Sequence, residues 1–96
     1  MELELVNARL FSKVLLQKYN NADPTNIDAR FEMLKQLLGT CSNGVYIEPP
    51  FYCDYGPNIH LGEKVGLNYN CCFLDVSKIT VGDRTLFAPG TNIIIF

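Results

Sequence analysis

The sequence is poor in the residues that metal and redox chemistries need. It holds a single histidine, His60, among 96 residues. Its four cysteines, Cys41, Cys53, Cys71 and Cys72, form no C-x-x-C pair. A zinc cage built from Cys and His ligands is therefore unsupported. No apolar run approaches the roughly 18 residues needed to cross a bilayer. The start, "MELELVNARL", carries acids where a secretory leader would carry bases. A cytoplasmic location follows as the expectation, with the cysteines as buried thiols rather than disulfides. Adjacent Cys71 and Cys72 would point to opposite faces of a strand and could not bond each other. Positive charge is not in excess either. The formal net charge is -2, which gives no broad attraction to phosphate backbones and argues against nucleic acid as a partner.

What remains is the composition of one small folded domain: 48% hydrophobic and 19% charged residues. Its two parts have different periods. In residues 1–39 the apolar spacing is helical. Val6, Leu10, Val14 and Tyr19 form a stripe that Leu3, Phe11 and Leu15 widen. Glu2 and Glu4 suit the start of this helix, and Lys13 and Lys18 its end. In "NNADPTN", Asp23 is placed to cap a second helix and Pro24 to occupy its first position. That helix runs through Ile27, Phe31, Leu34 and Leu38. Gly39 stands where a left-handed residue would stop it. The expectation is a helical hairpin with an apolar side on each arm.

Residues 40–96 lose the helical period. β-Branched and aromatic residues mixed with prolines, as in "VYIEPPFYCDYGPN", favour strands and turns. From Leu61 an internal repeat appears, with "LGEKVGLNYNCCF" matching "VGDRTLFAPGTNI" twenty residues later. Leu61, Leu67 and Phe73 are spaced six apart, as are Val81, Phe87 and Ile93. Small or β-branched residues (Val65, Cys71, Thr85, Thr91) follow four positions after most of these. A period of six fits a chain that bends after each short strand and turns one large residue inward per face. Three faces make a triangular coil of about eighteen residues. The offset of twenty then means one turn plus an insertion of two, placed near "DVSK". An antiparallel α+β domain with evenly spaced strands is the plainer alternative.

The stretches "IEPPFYCDYGPNIHLGE", "LNYNCCFLDV" and "ITVGDRTLFAPGTNI" resemble the maltose and galactoside O-acetyltransferases of the hexapeptide-repeat acyltransferase superfamily. The resemblance runs from about Glu4 to Phe96, with "EPPFYCDYG" its most specific marker. It implies a mainly β fold with N-terminal α: a helical cap over residues 1–39, then the first coils of a left-handed parallel β-helix over residues 40–96, incomplete at the C-terminus. It also implies a homotrimer with sites between neighbouring β-helices, and acetyl transfer from acetyl-CoA to a sugar hydroxyl.

A sugar hydroxyl needs a base to take its proton as it attacks the thioester. In the family that base is a histidine in an "HP" motif, expected about two residues beyond Phe96, so no catalytic residue is assigned within this chain. The coils that hold coenzyme A are expected there as well. On this view the apolar end, "FAPGTNIIIF", is an interior strand of a longer solenoid, exposed and prone to association. The chain also starts without the family's "G-x-x-Y" segment.

For the acceptor sugar the resemblance points to Asp54, Asn68 and Asp75. Asn68 matches an acceptor-contacting asparagine, although it could instead ladder with neighbouring coils. Asp54 matches a variable polar position. Asp75 matches an aspartate near the pocket, and Val76 stands where galactoside-type members carry a second acid. Tyr52 and Tyr55 would stack on sugar or fill the junction between helices and coil. His60 is read as a solvent-facing or hydrogen-bonded coil residue. Two functions stay open: part of a sugar acetyltransferase, or a non-catalytic module for assembly or sugar binding.

Overall fold

The computed structural model describes residues 2–96. Two helices, α1 (Glu2–Asn20) and α2 (Ile27–Leu37), precede nine short strands. The strands are β1 (Thr40–Cys41), β2 (Tyr46–Ile47), β3 (Phe51–Cys53), β4 (Ile59–Leu61), β5 (Gly66–Leu67), β6 (Cys71–Asp75), β7 (Ile79–Val81), β8 (Leu86–Phe87) and β9 (Asn92–Ile95). Among the described residues, no helix is long and apolar enough to cross a membrane.

The strands form three parallel sheets, ordered β1-β4-β7, β2-β5-β8 and β3-β6-β9. Each sheet takes one strand from every turn of the chain, so the coil is a three-sided prism, the left-handed parallel β-helix. Leu61 pairs with Val81, Leu67 with Phe87 and Phe73 with Ile93, in the register that the repeat requires. The same spacing extends further back than the sequence pattern reached. Cys41 pairs with Leu61, Ile47 with Leu67 and Cys53 with Phe73. There are thus three rungs among the described residues, and residues 54–58 form the corner between the first and the second.

Stacked side chains fill the prism. Phe51, Ile59, Leu61, Val65, Leu67, Cys71 and Phe73 are buried, and Phe73 packs edge-on against both Phe51 and Phe87, with centroids 5.8 and 5.2 Å apart. Corners repeat as strictly as strands do. Gly44, Lys64 and Arg84, each twenty residues apart, all carry positive φ, at 76°, 56° and 59°. The rung geometry therefore holds two cationic residues in a conformation normally left to glycine, Asn or Asp. Cysteine behaviour follows from this alternation. All four thiols are free, with Cys71 inside and Cys72 on the outer face.

The helices close the first rung, with two differences from the sequence pattern. Of the expected stripe, Leu15 and Tyr19 are buried as anticipated, whereas Leu3, Val6, Leu10, Phe11 and Val14 are exposed, and α1 buries Ser12 and Leu16 in their place. The C-terminal half of α1 packs on the coil, from Ser12 onward. There the Asn20 side chain pairs with β3 like a neighbouring strand, donating to the Phe51 carbonyl at 3.0 Å and accepting its N–H at 2.9 Å. The second difference is at α2, which Asn26 caps by accepting the Ala29 N–H. Asp23 accepts from the N–H and hydroxyl of Thr25, which holds the preceding turn and lowers its own pKa. Arg30 then ties α2 down: it lies between the rings of Tyr19 and Tyr46 and donates to the carbonyls of Pro24 and Ile47.

At Gly39 the reason for glycine also differs from the expected one. α2 ends through Leu38 in extended conformation, with no left-handed residue. A Cβ on Gly39 would lie 2.1 Å from the Pro57 carbonyl oxygen, so the side chain is excluded by close backbone approach. Gly39→Ala is expected to cost about 2–3 kcal/mol in urea unfolding, because the obstacle is backbone and cannot swing aside.

Burial pushes the Cys41 thiol up to about 11 from 9.0, and Cys53, beside Asp75 and Asp54, higher still. The unfolded chain releases these protons first as pH rises. Stability is therefore lost as pH rises through about 9, mainly through the buried Cys53 and less through the half-buried Cys41, whose shift solvent screens. Denaturant titrations at pH 8, 9 and 10 should show this loss, and the Cys41→Ala, Cys53→Ala double variant should flatten it.

Candidate functional site

The two-residue insertion places an extra-wide corner after β3 and again after β6. In the first rung this corner is Asp54–Asn58, and turning it leaves successive backbone N–H groups pointing the same way. Asp75, one rung above, supplies their acceptor. It is the last residue of β6 and lies on the inward side of that strand's alternation, fully buried. Its Oδ1 accepts the N–H of Asp54 at 3.1 Å and of Tyr55 at 2.9 Å. Its Oδ2 accepts the N–H of Gly56 at 2.8 Å and of Asn58 at 3.3 Å. The Asn58 side chain returns the contact by donating to the Asp75 carbonyl at 2.8 Å. One carboxylate thus serves four backbone donors, each a charge-assisted bond.

The same corner is held from the helical side. Gly56, at φ 97°, has no room for a Cβ, which would meet the Leu37 carbonyl oxygen at 2.4 Å. Ser12 of α1, also buried, donates its hydroxyl within reach of the carbonyls of Asp54 and Arg9, at 2.7 and 2.8 Å. Arg9 leaves the same helix with its guanidinium 5.9 Å from the centre of the Tyr55 ring. Together Val6, Arg9, Leu10 and Lys13 of α1 face Cys53 and Asp54 across an open cleft of about 370 Å³. Two cations, one carboxylate and an apolar wall suit a polyhydroxylated ligand that carries an apolar face.

The residues that the sequence singled out fall in three places. Asp54 lines the cleft. Asp75 lies beneath it with both oxygens engaged by the backbone and no exposed surface, so it meets a ligand through the corner that it holds. Asn68 sits elsewhere, at the corner between β5 and β6, exposed, with its Oδ1 accepting the N–H of Tyr69 at 2.8 Å. It joins the next coil through its backbone N–H, which donates to the Phe87 carbonyl at 3.2 Å. The outer face of sheet β3-β6-β9, with Tyr52, Leu74 and Ile94, separates Asn68 from Asp54 within one prism. Tyr52 borders a second cleft, between the end of α1 and Pro49–Pro50.

His60 faces outward on β4, with Nδ1 2.8 Å from the Thr40 hydroxyl on β1. Among the described residues no group of three His, Cys, Asp or Glu side chains is arranged to hold a metal ion. Sequence reasoning missed Arg9, which lines the cleft, and Ser12, which holds the corner beside it. The trace they leave is faint: a serine in an otherwise apolar helical stripe, and a cation four residues ahead of Lys13.

Comparison with known proteins places this geometry. Residues 2–42 match the maltose acetyltransferase hexapeptide capping motif. Galactoside O-acetyltransferase of Escherichia coli is 33% identical over 89 residues, covering 93% of this chain and 44% of that protein. The crystal structure of a maltose O-acetyltransferase from Clostridium difficile 630 superimposes with a TM-score of 0.91 at 40% identity, over 94% of this chain and 48% of that one. A hexapeptide-repeat acetyltransferase from Vibrio cholerae O1 biovar eltor, solved with acetyl coenzyme A, superimposes with a TM-score of 0.86 at 28% identity, over 93% of this chain and 48% of that one. The chain spans about half the length of the curated relatives it matches. Over this span the chain carries the maltose acetyltransferase hexapeptide capping motif and is similar, in sequence and in its three-sided coil, to maltose and galactoside O-acetyltransferases of the hexapeptide-repeat type.

Proposed function

We propose that this chain forms the acceptor-sugar side of an acetyl-CoA-dependent O-acetyltransferase. The observation that carries the reading is the cleft between α1 and the first wide corner, where Arg9, Lys13 and Asp54 offer donors and acceptors beside an apolar wall. Hydroxyls of a sugar take both kinds of partner, and the carbon face of the ring suits Val6 and Leu10. Asn68 completes the acceptor site from a neighbouring copy in a homotrimer. One prism carries Asn68 and Asp54 on different corners, so a single sugar meets both only across a boundary between copies. Acetyl-CoA is the co-substrate, held by coils outside these residues.

The proton acceptor also comes from outside these residues. His60, the sole histidine, projects from sheet β1-β4-β7 and is engaged with Thr40, whereas the cleft opens beside the corner after β3. That placement also favours the second reading, in which these 96 residues bind sugar or assemble without turning over.

Calorimetric titration with maltose, glucose and methyl galactoside tests the sugar site. At least one should bind, and Asp54→Ala should weaken it by about tenfold, as expected for a lost hydrogen bond to a charged group. Thiol release from acetyl-CoA by the same chain with the same sugars should stay at the uncatalysed rate. Absence of any sugar binding overturns the acceptor reading, and sustained thiol release overturns the placement of the base outside these residues.

A further inference from the structure

We infer that Asp75 is a positioning residue for the acceptor sugar: its buried carboxylate fixes the backbone of Asp54–Asn58 so that Asp54 is presented to the cleft, and Tyr55 to Arg9 on the cleft's helical wall, in one arrangement. The inference rests on the sugar-acceptor reading of that cleft and assigns Asp75 a role without direct ligand contact.

Three features of the structure support it. The first is the number of bonds from one side chain. Both carboxylate oxygens are used, each by two N–H donors, and the donors belong to the consecutive residues Asp54, Tyr55 and Gly56 and to Asn58. A general packing role would not need an anion, and burying one is costly unless it is paired in this way. The second feature is that the device occurs once. The equivalent wide corner in the second rung follows Asp75 itself, and the residue stacked above is Ile95, which has no side-chain acceptor. There the rung above contributes a backbone acceptor, the Ile95 carbonyl, which takes the Ser77 N–H at 3.1 Å, and no carboxylate. Solenoid geometry therefore does not require a carboxylate at this position. The first rung has one, and the first rung carries the cleft.

The third feature is convergence on the residues that line the cleft. Ser12 grips the Asp54 carbonyl from α1 while Asp75 grips the Asp54 N–H from the coil. Both peptide groups flanking the Asp54 side chain are thus held from opposite sides. Tyr55, whose N–H is also held, carries the ring over which Arg9 lies. Releasing the carboxylate would free Asp54, Tyr55 and Arg9 together. A site held in this way loses less entropy when sugar binds.

The test compares folded variants of the 96-residue chain at a temperature where each is fully folded by circular dichroism. Asp75→Asn keeps the size of the side chain but replaces one acceptor oxygen with a donor. It should move the amide resonances of Asp54, Tyr55, Gly56 and Asn58. It should also weaken the tightest-binding of maltose, glucose and methyl galactoside by about tenfold. Val65→Ala, a cavity variant in the prism far from the corner, controls for lost stability; its sugar affinity should stay within about twofold of the wild type. Should Asp75→Asn fail to fold, Asn58→Ala removes the side-chain grip on the Asp75 and Val76 carbonyls while leaving the carboxylate in place, and should weaken the sugar by about threefold. Unchanged affinity in the folded corner variant, or an equal loss in Val65→Ala, overturns the inference and leaves the acceptor reading standing. Failure of the wild-type chain to bind any of the three sugars overturns both.

Discussion

Every feature of this chain depends on one constraint: side chains twenty residues apart must lie directly above one another. The parallel ladder enforces it, because each strand bonds to its equivalent in the rungs below and above. Cys41, Leu61 and Val81 form one column, Ile47, Leu67 and Phe87 a second, and Cys53, Phe73 and Ile93 a third. A parallel stack contributes little from strand pairing alone; its cohesion comes from the apolar columns it buries. Phe73 at the centre of the third column touches aromatic rings on both sides, so the second rung is locked to its neighbours by shape as well as by area.

The same register explains why the fold could be read from sequence while parts of it could not. Leu61, Leu67 and Phe73 repeat as Val81, Phe87 and Ile93 with their glycines and charges, so two rungs advertise each other. The first rung hides because its inward residues are Cys41, Ile47 and Cys53, two of them small, with "EPP" and "DYGP" between strands. Its neighbour on one side is not another rung but the helices. Tyr19, Leu34 and Leu37 fill the space that a further rung would occupy, so the inward positions need not repeat the pattern. On α1 the apolar residues outnumber those that the coil can bury. A periodicity argument picks out Leu15 and Tyr19 correctly but also the exposed Val6, Leu10 and Val14, whereas the contacts run on through Ser12 and Leu16.

The candidate site was legible to a lesser degree, for a physical reason. Its side chains are placed by a backbone corner that a long-range pairing holds, and backbone carries no sequence label. Asp75 and the corner it holds are about twenty residues apart, linked only by the rung register. That the acid in "FLDV" turns inward follows only from the alternation of the strand that it ends. Strand alternation would have shown it: Cys71 and Phe73 are inward, so Asp75, two further on, must be as well. Ser12 and Arg9 are harder, since they enter through the docking angle of α1, which no spacing within the helix encodes.

A buried anion beneath a ligand cleft is a costly arrangement, and the balance of terms shows where its benefit lies. Removing a carboxylate from water costs several kcal/mol, and four charge-assisted bonds of roughly 1.5–3 kcal/mol each offset that loss. The net gain in stability is modest, as it is for most buried charges. What the anion adds is uniqueness. An apolar side chain in its place would leave four N–H groups without acceptors, and the corner would turn to find water. The wide corner of the second rung has no such need, because the stacked backbone there closes it. In the first rung the insertion lies against Leu37 and Ser12 of the helices, and its donors point inward. The helical cap and the buried acid are therefore one device. The cap creates a corner that the ladder cannot satisfy, and Asp75 satisfies it in a single geometry, which the residues facing the cleft inherit.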